Sequence, residues 1–170
     1  YGKKAGLPAA QFSAMKPWLF VMMISVREMQ KQGVTHEGVD PYYFKRAKAE
    51  QKKTGELETF EQQMKFITGI GAGNESELIV KSLEDLEELP GVLTNLLGAW
   101  KSGNVAKLDE FLLRKVRAQH PAIYQDLIVK RNKAWLPKIE VLAKTPEVEF
   151  VLVGVGHLAG KDGLLELLRA

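Results

Sequence analysis

Apolar positions recur at three- and four-residue intervals along most of the chain, which predicts a series of amphipathic helices. The first opens at Pro17, since a missing N–H costs nothing in a first helical turn. It runs through Met29 and stops near Gly33. Its apolar run, Trp18 to Ile24 followed by Ser25 and Val26, falls short of the roughly 20 residues that a membrane-spanning helix needs. Lys16 and Arg27 flank the run, but it begins inside the chain and no small-residue cleavage site follows. It is therefore predicted as a buried helix, not a signal-peptide core. Any leader would lie upstream of Tyr1. Asp40-Pro41 signals a second helix by a capping carboxylate and a preset φ. That helix is expected to turn Tyr43, Phe44 and Ala47 inward and to end near Lys53.

Thr59 with Gln62 has the form of a capping box. The helix after it carries Phe60, Met64 and Ile67 on one face and ends in Gly69-Ile70-Gly71-Ala72-Gly73. Asn74 with Glu77 reads as a second box. Leu78, Ile79, Leu83 and Leu86 then keep helical spacing, and Pro90-Gly91 is expected to break or kink the helix before Val92, Leu93, Leu96, Leu97 and Trp100 resume it. Ser102-Gly103-Asn104 marks a turn, and Leu108, Phe111, Leu112 and Val116 another helix. His120-Pro121 starts a longer one, with Ile123, Leu127, Ile128, Trp135, Ile139 and Leu142 inward. Pro137 is expected to kink or split it, and Pro146 to end it.

The period then changes. Phe150-Val151-Leu152-Val153 is a continuous apolar run rich in β-branched residues, the pattern of a strand buried on both faces. Gly154-Val155-Gly156-His157 closes it, Gly160-Lys161-Asp162-Gly163 is a turn, and a last helix begins at Leu164. Thr54 to Glu58 is the other candidate strand. The predicted fold is helix-rich α/β: a single domain over residues 1–170, with a small, mostly buried sheet and a helical lobe (about 60–145) inserted between its strands. Two strands do not make a stable sheet. The pattern therefore predicts a chain truncated at its N-terminus, with an open sheet edge that favours self-association.

Composition narrows the chemistry. Cysteine is absent, which excludes disulfides and thiolate metal sites, so any metal must be held by His and carboxylates. Lys and Arg total 24 against 21 Asp and Glu, a net charge of +3, too balanced to point to nucleic acid. His157, just beyond a predicted strand, would sit at the carboxyl edge of a sheet, where open α/β sheets bind ligands. Flanking Gly154 and Gly156 would let the backbone turn there. A neutral imidazole in that place suits a metal or a base, and equally a turn histidine satisfied by a carbonyl. Glu58, just before the capped helix, suits a metal ligand or general base, or merely favours the helix dipole. Arg131, beside Asn132, would pair with Glu58 or Asp40, or clamp a carboxylate. The Gly69–Gly73 stretch lacks the Lys-Ser/Thr ending of a phosphate loop and follows no strand. His36-Glu37 lacks the second His of a zincin helix, and Glu84, Asp85, Glu87 and Glu88 read as a solvated face.

Several of these motifs, in this order, resemble the TraB/GumN family, which includes the Tiki metalloproteases. The resemblance rests on Lys16-Pro17-Trp18, Gly38-Val39-Asp40, Gly55-Glu56-Leu57-Glu58-Thr59 with Gln63, Arg131-Asn132, and Phe150 through Gly163. It implies that Gly154 and His157 form the second of two Gly-x-x-His motifs. It also implies that Glu58 is the family's acidic residue, Arg131 its helical arginine, and Asp40 part of a Gly-x-Asp motif. The first Gly-x-x-His motif is not found here, so the chain resembles the C-terminal two-thirds of a member.

Two functions follow as expectations. The resemblance implies a metal-dependent, peptidase-like hydrolase of the cell envelope, periplasm or secreted space, acting on a peptide or small molecule. His157 would ligate Zn²⁺, Mn²⁺ or Co²⁺, Glu58 would be a further ligand or a general base, Arg131 would stabilise developing negative charge, and Gly154, Gly156, Asp40 and Asn132 would support the site. The alternative is a non-catalytic module that binds a peptide or envelope partner through its apolar helix faces.

Overall fold

The computed structural model of the chain describes Gly2, Pro8, Phe12 and residues 14–170. Helix α1 spans Pro17–Lys31, with Pro17 in its first turn as predicted. Gly33, at φ +85°, adopts the left-handed conformation after its end, which glycine tolerates best. Helix α2 spans Val39–Ala49. Tyr43 and Phe44 were expected inward, but both are exposed and only Ala47 is half-buried. Tyr43 rests on Phe150, ring centroids 5.0 Å apart.

Helix α3 (Phe60–Thr68) has the predicted capping box: Thr59 Oγ1 accepts from Gln62 N at 3.2 Å, and Gln62 Oε1 accepts from Thr59 N at 2.9 Å. Helix α4 (Glu75–Lys101) runs for 27 residues. The second expected box does not form. Asn74 makes no side-chain cap, and the Glu75 carboxylate accepts from Gly73 N at 3.1 Å instead. Nor does Pro90-Gly91 end the helix, which continues through Pro90. Proline removes one backbone hydrogen bond, and α4 packs on α1 and on α5 (Val105–Leu112). Helix α1 was expected to be buried on most sides, but Ile24 is its one buried residue, contributing roughly 2 kcal/mol, and Leu19, Met22 and Val26 are exposed.

Helix α6 (Arg114–Gln119) leads to α7 (Pro121–Tyr124), a π-helical turn (Gln125–Val129) and α8 (Lys130–Leu142). Pro137 lies inside α8 without splitting it, and the irregularity falls at the π turn. A π turn adds one residue to the helical repeat. Tyr124 and Val129, five apart, are therefore both buried, and the buried face continues as Asn132, Trp135 and Ile139. A 3₁₀ turn (Val155–His157) and helix α9 (Leu164–Leu167) complete the fold. Among the described residues no helix is long and apolar enough to cross a membrane.

The expected α/β core, a small buried sheet with a helical lobe between its strands, is not present. The described residues contain no strand. The apolar run 150–153 reads as a strand by residue type, but a strand exists only through a ladder with a neighbour. This run makes no backbone hydrogen bonds of that kind. Phe150 is exposed, Leu152 is half-buried, and Val151 and Val153 are half-buried against helices. Thr54 to Glu58 is likewise irregular, tied to α8 where Lys138 Nζ donates to Leu57 O at 2.7 Å. Without a sheet edge among the described residues, the argument for self-association through one falls away.

The core forms two clusters. Ala99, Leu108, Leu113, Tyr124, Val129 and Ala159 make the first. Trp135, Ile139 and Leu164 make the second, with Leu57, Val151, Val153 and Leu158 against it. The segment 154–163 runs between them, and this places His157.

Candidate functional site

The site is built by α8 and the loop that passes beneath it. Asn132 has no exposed surface. Its Nδ2 donates to His157 O at 3.1 Å and to Asp162 O at 2.7 Å. Carbonyls only accept, so these two partners fix the orientation of the amide. Asn132 Oδ1 therefore faces His157 Nδ1, 2.8 Å away, and Nδ1 must carry the proton and donate. Nε2 keeps its lone pair and has no hydrogen-bond partner among the described residues.

Burial, and next the nearby Arg131 cation, lower the His157 pKa from 6.5 to about 4; Glu58 acts in the opposite direction. The ring is thus a neutral imidazole near pH 7. It stacks at a tilt on Trp135, ring centroids 4.5 Å apart and planes at 48°.

Arg131, one turn before Trp135, packs against the indole with its guanidinium 4.8 Å from the ring centroid. Its Nη2 donates to Glu58 Oε1 at 2.7 Å and its Nε to Glu58 Oε2 at 3.1 Å, a two-pronged pair. The side chains are 14% and 13% exposed, so this pair is largely withdrawn from water. Nη1 donates to Leu127 O at 3.3 Å. Glu58 reaches the site because the Thr59 cap fixes the start of α3 directly after it.

Outside this centre lies a second set of polar groups. Tyr124 Oη donates to Asp162 Oδ2 at 2.8 Å. Burial, and then Asp162, push the Tyr124 hydroxyl up to about 12. Arg117 covers the Tyr124 ring at 5.1 Å and pairs with Asp109. Asp109 fills the space where a Cβ at Gly160 would stand, and Gly160 has φ +79°. A Cβ at Gly163 would collide with the carbonyl oxygens of Leu158 and Ala159.

Of the residues singled out in the sequence, Glu58, Arg131, Asn132 and His157 come together. Arg131 pairs with Glu58, one of its two predicted partners. Asp40 stays apart, exposed in the first turn of α2 with no hydrogen bond or ion pair to the cluster. Gly154 and Gly156 flank His157, but neither adopts positive φ, and a Cβ on either would make ordinary contacts. Glycine is demanded at Gly160 by its positive φ and at Gly163 by the lack of space for a Cβ. Sequence reasoning missed Tyr124, Asp162, Arg117 and Asp109, whose contacts join four separate segments. It placed Trp135 in the core without its role against both His157 and Arg131. No signal in the sequence marked the π turn, because Ile123, Leu127 and Ile128 also keep ordinary helical spacing.

The TraB/PrgY/gumN family model matches residues 1–170. The chain belongs to the TraB/PrgY/gumN family. Its similar relatives include the uncharacterized protein YbaP of Escherichia coli strain K12 and that of Shigella flexneri, each 26% identical over 168 residues. Each alignment covers 98% of this TraB/PrgY/gumN chain and 61% of the relative. The chain thus spans about three-fifths of the length of the curated relatives it matches. No solved structure matches it.

Proposed function

We propose that this chain carries part of the centre of a metal-dependent hydrolase, with His157 Nε2 as one ligand and Glu58 and Arg131 beside it. The supporting observation is the state of His157. A metal binds neutral imidazole through a free lone pair, with the other nitrogen donating to a fixed partner. Asn132 holds the ring in that form. The lowered pKa makes His157 a weak base near neutrality, which favours a ligand role over proton abstraction.

The donor set fits a metal in part. Among the described residues no three His, Asp or Glu side chains form a metal-holding group. Glu58 already accepts from Arg131 through both oxygens, each of which retains a further lone pair. Water, substrate or other parts of the protein would complete the coordination. His and carboxylate donors suit Zn²⁺, Mn²⁺ and Co²⁺ alike. A metal ion so bound would polarise a carbonyl and lower the pKa of a bound water. Arg131 has five N–H donors, of which Glu58 and Leu127 O use three. The remaining two are available to negative charge developing on a substrate. Following the family resemblance, the proposed substrates are peptides or small molecules of the cell envelope.

The test is titration with Zn²⁺, Mn²⁺ and Co²⁺ beside His157→Ala. The wild-type chain is expected to bind at least one of them, and the variant to bind it about tenfold or more weakly. Equal, near-zero binding in both overturns the ligand role. Peptide binding that survives loss of both His157 and Glu58 would instead favour a module that binds without catalysing.

A further inference from the structure

The polar groups outside the centre form a chain of contacts that ends on His157. Asn132 sets the His157 ring, but it also clamps the carbonyls of His157 and Asp162. If the Asp162 carbonyl moves, Asn132 keeps only the His157 carbonyl to orient its amide, and Oδ1 is held less firmly toward Nδ1. The Asp162 side chain is tied to the buried Tyr124 hydroxyl. Tyr124 in turn is held under Arg117, which pairs with Asp109 beside Gly160. The turn 160–163 is therefore packed against α5 at Gly160 and hydrogen-bonded at Asp162 to α7 and α8.

We propose that Tyr124 and Asp162 are positioning residues for His157: their hydrogen bond fixes the loop carbonyl that Asn132 grips, and so determines which ring nitrogen carries the proton. This deepens the metal-ligand reading and rests on it for its consequence. The effect on the ring can be observed without any metal. Hydrogen-bond partners one shell out commonly orient a ligating imidazole in this way.

The test compares Tyr124→Phe, Asp162→Ala and Asp162→Asn with the wild-type chain. Two-bond ¹⁵N–¹H NMR reads the proton position on His157, and Zn²⁺ titration reads the consequence. Tyr124→Phe and Asp162→Ala are expected to show a mixture of the two neutral tautomers, with Zn²⁺ bound about tenfold more weakly. Asp162→Asn keeps an acceptor for the Tyr124 hydroxyl and is expected to preserve the wild-type tautomer. Ile24→Val, in the core of α1, serves as a control that lowers stability without altering the His157 signal. If Tyr124→Phe does not fold, the contrast between Asp162→Ala and Asp162→Asn decides. A wild-type tautomer in all the folded variants overturns the proposal, as does a change in Asp162→Asn as large as that in Asp162→Ala. If the tautomer shifts as expected while no variant, nor the wild type, binds Zn²⁺, the positioning role stands and the ligand reading fails.

Discussion

Replacing Asn132 with alanine is expected to destabilise the fold by roughly 3 to 5 kcal/mol, because two buried hydrogen-bonding groups and one part-buried group lose their partner at once. These groups are His157 Nδ1–H and the carbonyls of His157 and Asp162. Each unsatisfied group costs about 1 to 3 kcal/mol, and water entering the space left by the side chain offsets part of the sum. Chemical denaturation measures the loss. Asn132→Asp separates the two jobs of the amide. A carboxylate still accepts from His157 but cannot donate to the carbonyls, so stability falls while the Nδ1 proton stays in place. Raised rather than lowered basicity of His157 is the accompanying sign, because a negative charge then faces the ring.

Glu58→Ala carries the other large effect. It leaves the Arg131 cation withdrawn from water without its counter-charge, and breaking such a pair costs about 3 to 5 kcal/mol. The pair lies against Trp135, so the loss also reaches the ring beside His157. Glu58 and Arg131 act on the His157 pKa in opposite directions. Removing Glu58 alone therefore drives it lower, while Arg131→Met drives it back toward its ordinary value. The double variant Glu58→Ala/Arg131→Met removes both charges and is expected to lose less stability than the sum of the two single changes. Strict additivity in denaturation experiments contradicts a coupled pair.

The local signals were legible in the sequence wherever one segment could satisfy itself. Thr59 and Gln62 cap α3 with their own side chains, and Pro17 and Gly33 bound α1. The residues of the centre were legible by type, but the place expected for His157, beyond a strand, was not: it lies in a 3₁₀ turn. Long-range requirements were not legible. The run 150–153 has strand composition, but pairing depends on a neighbour that composition does not specify, and it lies against helices instead. Pro90 signals a break by its own chemistry, yet α4, which packs on α1 and α5, runs through it. Asn74 has a capping residue type but takes φ −135° and ψ 39° and makes no side-chain cap. Tyr124 and Asp162 stand 38 positions apart, and neither has a local feature that names the other.

The account turns on His157 being neutral, with its proton on Nδ1 and Nε2 free. Its folded pKa of about 4 lies below the ordinary value of 6.5. The unfolded chain therefore binds a proton between those values and the folded chain does not. The associated stability, on the order of 3 kcal/mol, is fully present above about pH 6.5 and is lost as pH falls toward 4. The most direct measurement is a two-bond ¹⁵N–¹H NMR titration of the His157 ring in the intact chain. The prediction is a neutral imidazole protonated at Nδ1 from pH 8 down to about 5. Titration near pH 6.5, or a neutral ring protonated at Nε2, would contradict the account.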